Sequence, residues 1–326
     1  MKIAMISTNL LRTPPVMYGG AEKVISLLTE ELVKRGHEVT LFATGDSLTS
    51  AHLNYLYEKP DWSWEKETKF AQYAFANCKE FDLVHNNSYP GLEMAQFCPV
   101  PTVTTMHSLS AHYKKYRDNM YIAISSRQRF LFRELRKVRV IHHGLDVNQY
   151  PFSSDCDNYL VWVGRICWEK GVHHAVQGAR KYGLPLKLIG PIADEDYFSQ
   201  KIKPYLGGKI EYLGEMGESK NQIVKKAKCF LMPIEWEEPF GLVIIEAMAC
   251  GTPVIAFNRG AVMELIDHGR TGFIVTCPEE MFQAVENIDQ IDRLNCRQHV
   301  MKNFSIEKMA SDHEKAYLDI LKGKFR

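Results

Sequence analysis

The sequence predicts an α/β protein made of two Rossmann-like domains facing each other across a cleft. Three observations predict it. Short apolar strands alternate with helices of amphipathic spacing, the pattern of βαβ units on parallel sheets. That alternation breaks at a polar, turn-rich stretch, His143–Asp157, and then starts again. The chain has 326 residues, enough for two domains of ordinary size. Residues 1–148 are assigned to an N-terminal domain and 149–310 to a C-terminal one. Residues 311–326 are expected to form a helix packing back toward the first domain.

Lys2–Ile6 reads as the first strand, and too short and polar-ended a start for a signal peptide. A loop with Gly19-Gly20 follows, then a helix over Ala21–Lys34 with apolar residues at 24, 27, 28 and 32. Gly36 ends that helix and Glu38–Phe42 is the next strand. Strands are expected at Leu83–His85, Thr102–Met106, Tyr121–Ser125 and Val138–His142, with a helix over Gln128–Leu135. After the break come strands Tyr159–Val163, Leu186–Ile189, Lys209–Leu213, Cys229–Pro233 and Gly272–Val275. Helices are expected at Gly171–Lys181, Asn221–Lys228 and from Pro278 onward.

Composition narrows the classes. Forty-five per cent hydrophobic residues is ordinary for a globular protein, and no apolar run approaches the roughly 20 residues that span a bilayer. A net charge of +1 gives no global attraction to nucleic acid. Eight cysteines lie scattered without a C-x-x-C pair, which suits reduced thiols in a cytoplasmic protein better than a disulfide framework or a cysteine zinc site.

The most informative segment is Glu238–Ala256. Between Leu242 and Cys250 every residue except Glu246 is apolar, so the helix is expected to be buried and its carboxylate to need a partner. Gly251-Thr-Pro stops the helix and a strand begins at Val254. The unit is strand, acidic loop, helix, strand, and ligands of open α/β sheets bind where such helices begin.

Several motifs now occur in order: Gly164-Arg-Ile-Cys-Trp-Glu-Lys170-Gly171, Glu238-x7-Glu246, Met248-Ala-Cys-Gly-Thr-Pro-Val-Ile255 and Gly269-Arg-Thr-Gly272. Tyr18-Gly-Gly-Ala-Glu22, Thr105-Met-His107 and His143-Gly-Leu-Asp146 stand in the first half. With these the chain resembles the retaining glycosyltransferases of the GT-B fold, family 4. The resemblance implies a metal-independent enzyme that moves a hexose from a UDP- or GDP-sugar to an acceptor hydroxyl. It makes 1–148 the acceptor-side domain and 149–310 the donor domain.

The residue roles follow from the same resemblance. Arg165 and Lys170 bind the donor diphosphate, a fork and a point charge set against developing negative charge. Gly241 and Leu242 open a helix whose free N–H groups suit phosphate, and Gly19-Gly20 sit similarly in the first domain. Glu246 accepts from the ribose hydroxyls; read from the residues alone, it is instead a buried carboxylate with an unseen partner. Glu238 faces the transferred sugar, although an acidic residue before a helix also favours the helix dipole. His107, at a strand end, contacts the sugar near the reacting centre. His107 and Glu238 are the catalytic candidates.

Other features point elsewhere. Asp155-Cys-Asp157 and Asp194-Glu-Asp196 lack the apolar strand-end context of a metal-holding Asp-x-Asp. His142-His143 and His173-His174 suggest a metal, but neighbours on a strand face opposite ways and no carboxylate or cysteine stands at ligand spacing. No metal and no cofactor is therefore expected. Residues 111–140 carry nine Lys/Arg against two acidic residues, which fits either a solvated face or peripheral contact with an anionic membrane surface. No G-x-G-x-x-G follows the first strand, which disfavours a nicotinamide enzyme. The alternatives are a catalytically silent nucleotide-sugar-binding protein of the same fold and a nucleotide-sugar epimerase. The sugar, the base and the acceptor are not readable from the residues.

Overall fold

The computed structural model describes residues 1–325. The chain divides into two compact units. One comprises Met1–Leu145 together with the segment from Ile306 onward, and the other comprises Asp146–Ser305.

In the first unit the strands are β1 (Lys2–Ile6), β2 (Glu38–Phe42), β3 (His52–Asn54), β4 (Leu83–Asn86), β5 (Thr102–Met106), β6 (Met120–Ala123) and β7 (Lys137–Val140). They pair in parallel in the order β3-β2-β1-β4-β5-β6-β7. Ile3, Ala4, Met5 and Ile6 are all fully buried, as expected for a strand covered on both faces. The helix Gly20–Lys34 lays Val24, Ile25, Leu28 and Leu32 into the core. The strand order reverses direction between β1 and β4, so their carboxyl ends flank a crevice position.

In the second unit the strands are β8 (Leu160–Val163), β9 (Leu186–Ile189), β10 (Ile210–Tyr212), β11 (Cys229–Met232), β12 (Val254–Phe257) and β13 (Gly272–Val275). They form a second parallel sheet, β10-β9-β8-β11-β12-β13, that reverses between β8 and β11. Both sheets are Rossmann-like.

Several elements differ from the sequence reading. The strand His52–Asn54 and the helix Trp64–Ala76 were not expected. That helix starts at Ser63, whose hydroxyl accepts from Lys66 N–H, and buries Phe70, Ala71 and Ala74. The helix expected at Asn221–Lys228 is one short run, Lys220–Val224, because Lys225–Lys228 turn directly into β11. The helix expected at Gln128–Leu135 is Ser126–Leu131, capped by the Ser125 hydroxyl accepting from Gln128 N–H.

The break at His143–Asp157 is not a loose tether. Arg297, on the helix Arg293–Asn303, donates to the carbonyls of Val147, Tyr150 and Ala249 at 3.0, 2.9 and 2.7 Å. Arg293, one turn earlier and buried, donates to the carbonyls of Ser153, Ala227 and Lys225 and to the Thr252 hydroxyl. Two guanidinium forks thus clamp 147–153 to the second unit.

The last helix, Ile306–Leu321, belongs to the first unit. Its Glu314 accepts from Arg35 at 2.7 Å and meets His37 Nε2 at 2.8 Å. Its Tyr317 hydroxyl meets His85 Nδ1 at 2.6 Å, deep against β4.

Candidate active site

In the second unit the site grows out of the β8/β11 switch point. Gly171, at φ 64°, follows the turn Trp168–Lys170 and precedes the helix Val172–Tyr182. A Cβ on Gly171 would lie 1.6 Å from Pro233 O, so only glycine lets the helix start this close to the end of β11. The close approach brings Lys170 to Glu238: Nζ lies 2.6 Å from Oε2. Trp236 Nε1 donates to the same oxygen at 3.0 Å, and the ammonium sits 4.7 Å from the centroid of the Trp236 ring. Cation, carboxylate and indole form one partly buried cluster. The Glu238 backbone is fixed as well, its carbonyl accepting from Ala261 N–H at 2.9 Å.

Gly241, at φ 104°, caps the helix Leu242–Ala249. Leu242 is the first residue of that helix, and its N–H belongs to the unsatisfied first turn. Glu246 is 6% exposed and does have partners. Tyr150 donates to its Oε1 at 3.2 Å, and Lys220 Nζ lies 3.3 Å from its Oε2. Burial and the Glu246 charge push the Tyr150 phenol well above its usual pKa, which keeps it a donor. The partner expected for this carboxylate is thus a tyrosine and a lysine. Arg165 follows β8 at the same switch point.

In the first unit Gly19 precedes the helix Gly20–Lys34, and a Cβ there would press on Pro15 at 2.7 Å. His107 follows β5. Its Nε2 lies 2.8 Å from Asn87 Oδ1, while Asn87 Nδ2 donates to Ile6 O at 2.9 Å. With the amide oriented by Ile6, its oxygen faces the imidazole, so Nε2 carries the proton. Nδ1 is buried without a hydrogen-bond partner, and the ring stacks on His143 at 5.5 Å. Burial, reinforced by His313, pushes the His107 pKa down to about 4, so the ring is neutral at neutral pH.

Sequence reasoning gave no role to two buried carboxyls beside this point. Glu67 accepts from Asn9 N–H at 2.6 Å and from the Ser88 hydroxyl at 2.7 Å, joining the loops that follow β1 and β4. Glu22 accepts from the Thr8 hydroxyl at 2.8 Å. Burial raises both carboxyl pKa values. Glu22 lay inside a quoted motif, whereas Glu67 lay in the unexpected helix.

The His173-His174 pair differs from expectation in having a carboxylate at hand. His173 and His174 lie on the helix Val172–Tyr182, with ring centroids 4.0 Å apart, and Glu235 contacts His174 Nε2. The carboxylate missing from the local sequence arrives from the end of β11. Asp194 caps a helical turn by accepting from Tyr197 N–H, a structural use of that Asp-x-Asp. A surface depression of about 540 Å³ in the first unit lies at the amino ends of β5, β6 and β7, around Pro101, Thr102 and Lys137, away from the strand carboxyl ends.

Comparison with known proteins agrees with this architecture. The family model "Glycosyltransferase Family 4" matches residues 18–149, and "Glycosyl transferases group 1" matches 149–307. A glycogen synthase of Mycobacterium tuberculosis is 25% identical over 346 residues, covering 85% of this chain and 82% of that protein. The sucrose-phosphate synthase of Thermosynechococcus elongatus superposes with a TM-score of 0.84 at 22% identity, covering 99% of both chains. Anabaena HepE in complex with UDP-glucose superposes with a TM-score of 0.76 at 20% identity, covering 97% of this chain and 98% of that one. Adjoining family matches over both units and two parallel Rossmann-like sheets lead to one conclusion: the chain belongs to glycosyltransferase family 4 and is a glycosyltransferase of the GT-B fold.

Proposed function

We propose that this glycosyltransferase moves a hexose from a UDP- or GDP-sugar to an acceptor hydroxyl, with retention at the anomeric carbon and without a metal. The observation that carries the reading is the Lys170–Glu238–Trp236 cluster at the switch point of the second sheet. Anabaena HepE, of similar fold, is described in complex with UDP-glucose, which supports a donor of this class.

In this reading Arg165 and Lys170 stabilise the departing diphosphate, and the N–H groups at Gly241 and Leu242 add to them. In the first unit, Gly19 and Gly20 leave the backbone at the start of the helix Gly20–Lys34 open to phosphate. Lys170 leaves or shares Glu238 when phosphate arrives, which frees the carboxylate to face the sugar. Glu246, already oriented by Tyr150 and Lys220, accepts from the ribose. His107 presents a neutral imidazole of fixed tautomer toward the reacting centre. The C1–phosphate bond breaks, a C1–acceptor oxygen bond forms on the same face, and the acceptor proton passes to the leaving phosphate.

A screen of nucleotide sugars, scored by UDP or GDP release, tests the reading. Release from one donor class supports it; no release and no nucleotide binding by calorimetry overturns it. The two internal ion pairs, Lys170–Glu238 and Lys220–Glu246, favour a second reading in which the chain binds nucleotide sugars without turnover. A thermal shift with UDP but no release would select it. The acceptor belongs to the same proposal, as does a cytoplasmic location with peripheral membrane contact through 111–140. There Phe130 is 56% exposed between Arg127 and Arg133. Binding to anionic vesicles that Phe130→Ala abolishes would support that contact. No helix among the described residues is long and apolar enough to cross a membrane.

A further inference from the structure

We propose that His173, His174 and Glu235 form a binding site for a divalent transition-metal cation of the zinc type. One ligand atom from each lies within 4.8 Å of the other two. Among the described residues, no other group of three His, Cys, Asp or Glu ligands meets that spacing. Two imidazole nitrogens and a carboxylate oxygen are a donor set suited to zinc, which takes three protein ligands and leaves a fourth position for water. Bonds of about 2.1 Å set tetrahedral edges of about 3.4 Å, so the ligand atoms, all within 4.8 Å of one another, draw in by about 1.4 Å at most, while the 2.5 Å contact between His174 Nε2 and Glu235 opens by about 1 Å.

The segments that carry the ligands are held in place without a cation. Gly171 seats the start of the histidine-bearing helix against Pro233 O, at the end of β11. Glu235 N–H donates to Glu169 O at 2.8 Å, tying the carboxylate's own backbone to the turn before that helix. Glu235 is therefore fixed at both its backbone and its side chain, and is no mobile acidic loop.

The surroundings resemble those of a ligating histidine. The Tyr197 hydroxyl lies 2.8 Å from His173 Nδ1 and also accepts from His173 N–H at 3.0 Å, which orients the ring. Trp168 stacks on that ring at 4.5 Å and 16°. The His174 and Glu235 side chains stay 20% and 27% exposed, which gives a cation an entry path and a place for solvent. None of the three residues is assigned a part in donor binding, so the site stands or falls independently of the proposed transfer.

The test uses the full chain, stripped with EDTA and dialysed, and titrated with zinc and with cobalt as a spectroscopic stand-in. One equivalent should bind, raise the melting temperature, and give a visible cobalt spectrum without thiolate charge transfer. His174→Ala and Glu235→Gln, both at partly exposed positions, should each weaken binding by at least about tenfold while keeping the wild-type circular dichroism. Absence of saturable binding overturns the proposal. So does binding that both variants retain at full strength, or a thiolate signature, which would move the metal to one of the free cysteines.

Discussion

Acid should loosen the first unit through a cluster of four histidines, three of them buried. His85, His107, His143 and His313 surround a cavity of only about 10 Å³, together with Asn87 and Thr105. Three of the rings are already committed: His85 to Thr105 and Tyr317, His107 to Asn87, and His313 to Met309 O. Burial pushes His107 and His313 down to about 4, and His85 and His143 well below 6.5. The unfolded chain then binds protons that the folded chain refuses, so stability is complete above about pH 6.5 and is lost as the pH falls toward 4. At pH 5 a histidine with a folded pKa of about 4 and an unfolded value of about 6.5 costs about 2 kcal/mol. His107 and His313 together therefore cost about 4 kcal/mol, a large part of a typical domain's stability. His85 and His143 act in the same direction. Asp312 favours the His313 cation and reduces the loss, and Tyr317 stays neutral. The raised pKa values of Glu22 and Glu67 have the opposite sign, since the folded state takes up their protons first. Urea unfolding at pH 7.5 and 5.0, compared between wild type and His313→Leu, reads the effect. The variant should lose about 2 kcal/mol less than wild type on acidification. Equal stability at both pH values, or an identical loss in the variant, would refute the reasoning.

The remaining predictions concern the donor site and its frame. Glu246→Ala should raise the donor KM with little change in kcat, whereas Glu238→Ala and His107→Ala should lower kcat more than binding; equal loss of binding in all three would undo the division of roles. Asn87→Asp should raise the His107 pKa by placing a carboxylate on Nε2–H, seen by NMR titration, and an unmoved pKa would refute the tautomer assignment. Arg293→Met should destabilise the second unit by about 3 kcal/mol, since two buried and two partly buried acceptors lose a charged donor; a melting curve like the wild type's would show that the clamp is unimportant. EDTA should leave transfer intact, and a strong loss of activity would put a metal into the reaction.

Both sheets were legible because strands of a buried parallel sheet are nearly continuous apolar runs, as Ile3–Ile6 and Cys229–Met232 are. The helix Trp64–Ala76 was not, because its first turns are charged and its buried face is mostly alanine around Phe70. The spacing of Glu238 and Glu246 located a candidate site but not what holds it. Lys170 reaches Glu238 across 68 positions, and Tyr150 reaches Glu246 across 96. Sheet order, not local pattern, makes those meetings. The same holds for Glu235 and His174, 61 positions apart. The strand-alternation argument did not apply to His173-His174, which lie on a helix the sequence itself predicts; what the local sequence lacked was the Glu235 carboxylate.

The return of the last helix to the first unit has a consequence for synthesis on the ribosome. The second unit is a continuous stretch of chain, so it can close as soon as it has emerged. The first cannot, because His85 waits 232 residues for the Tyr317 hydroxyl, and Arg35 waits 279 for Glu314. Until then the face of the helix Gly20–Lys34 and the carboxyl half of β4 stay uncovered. A chain released at Ser305 would carry one finished domain and one open one, a ready substrate for chaperones.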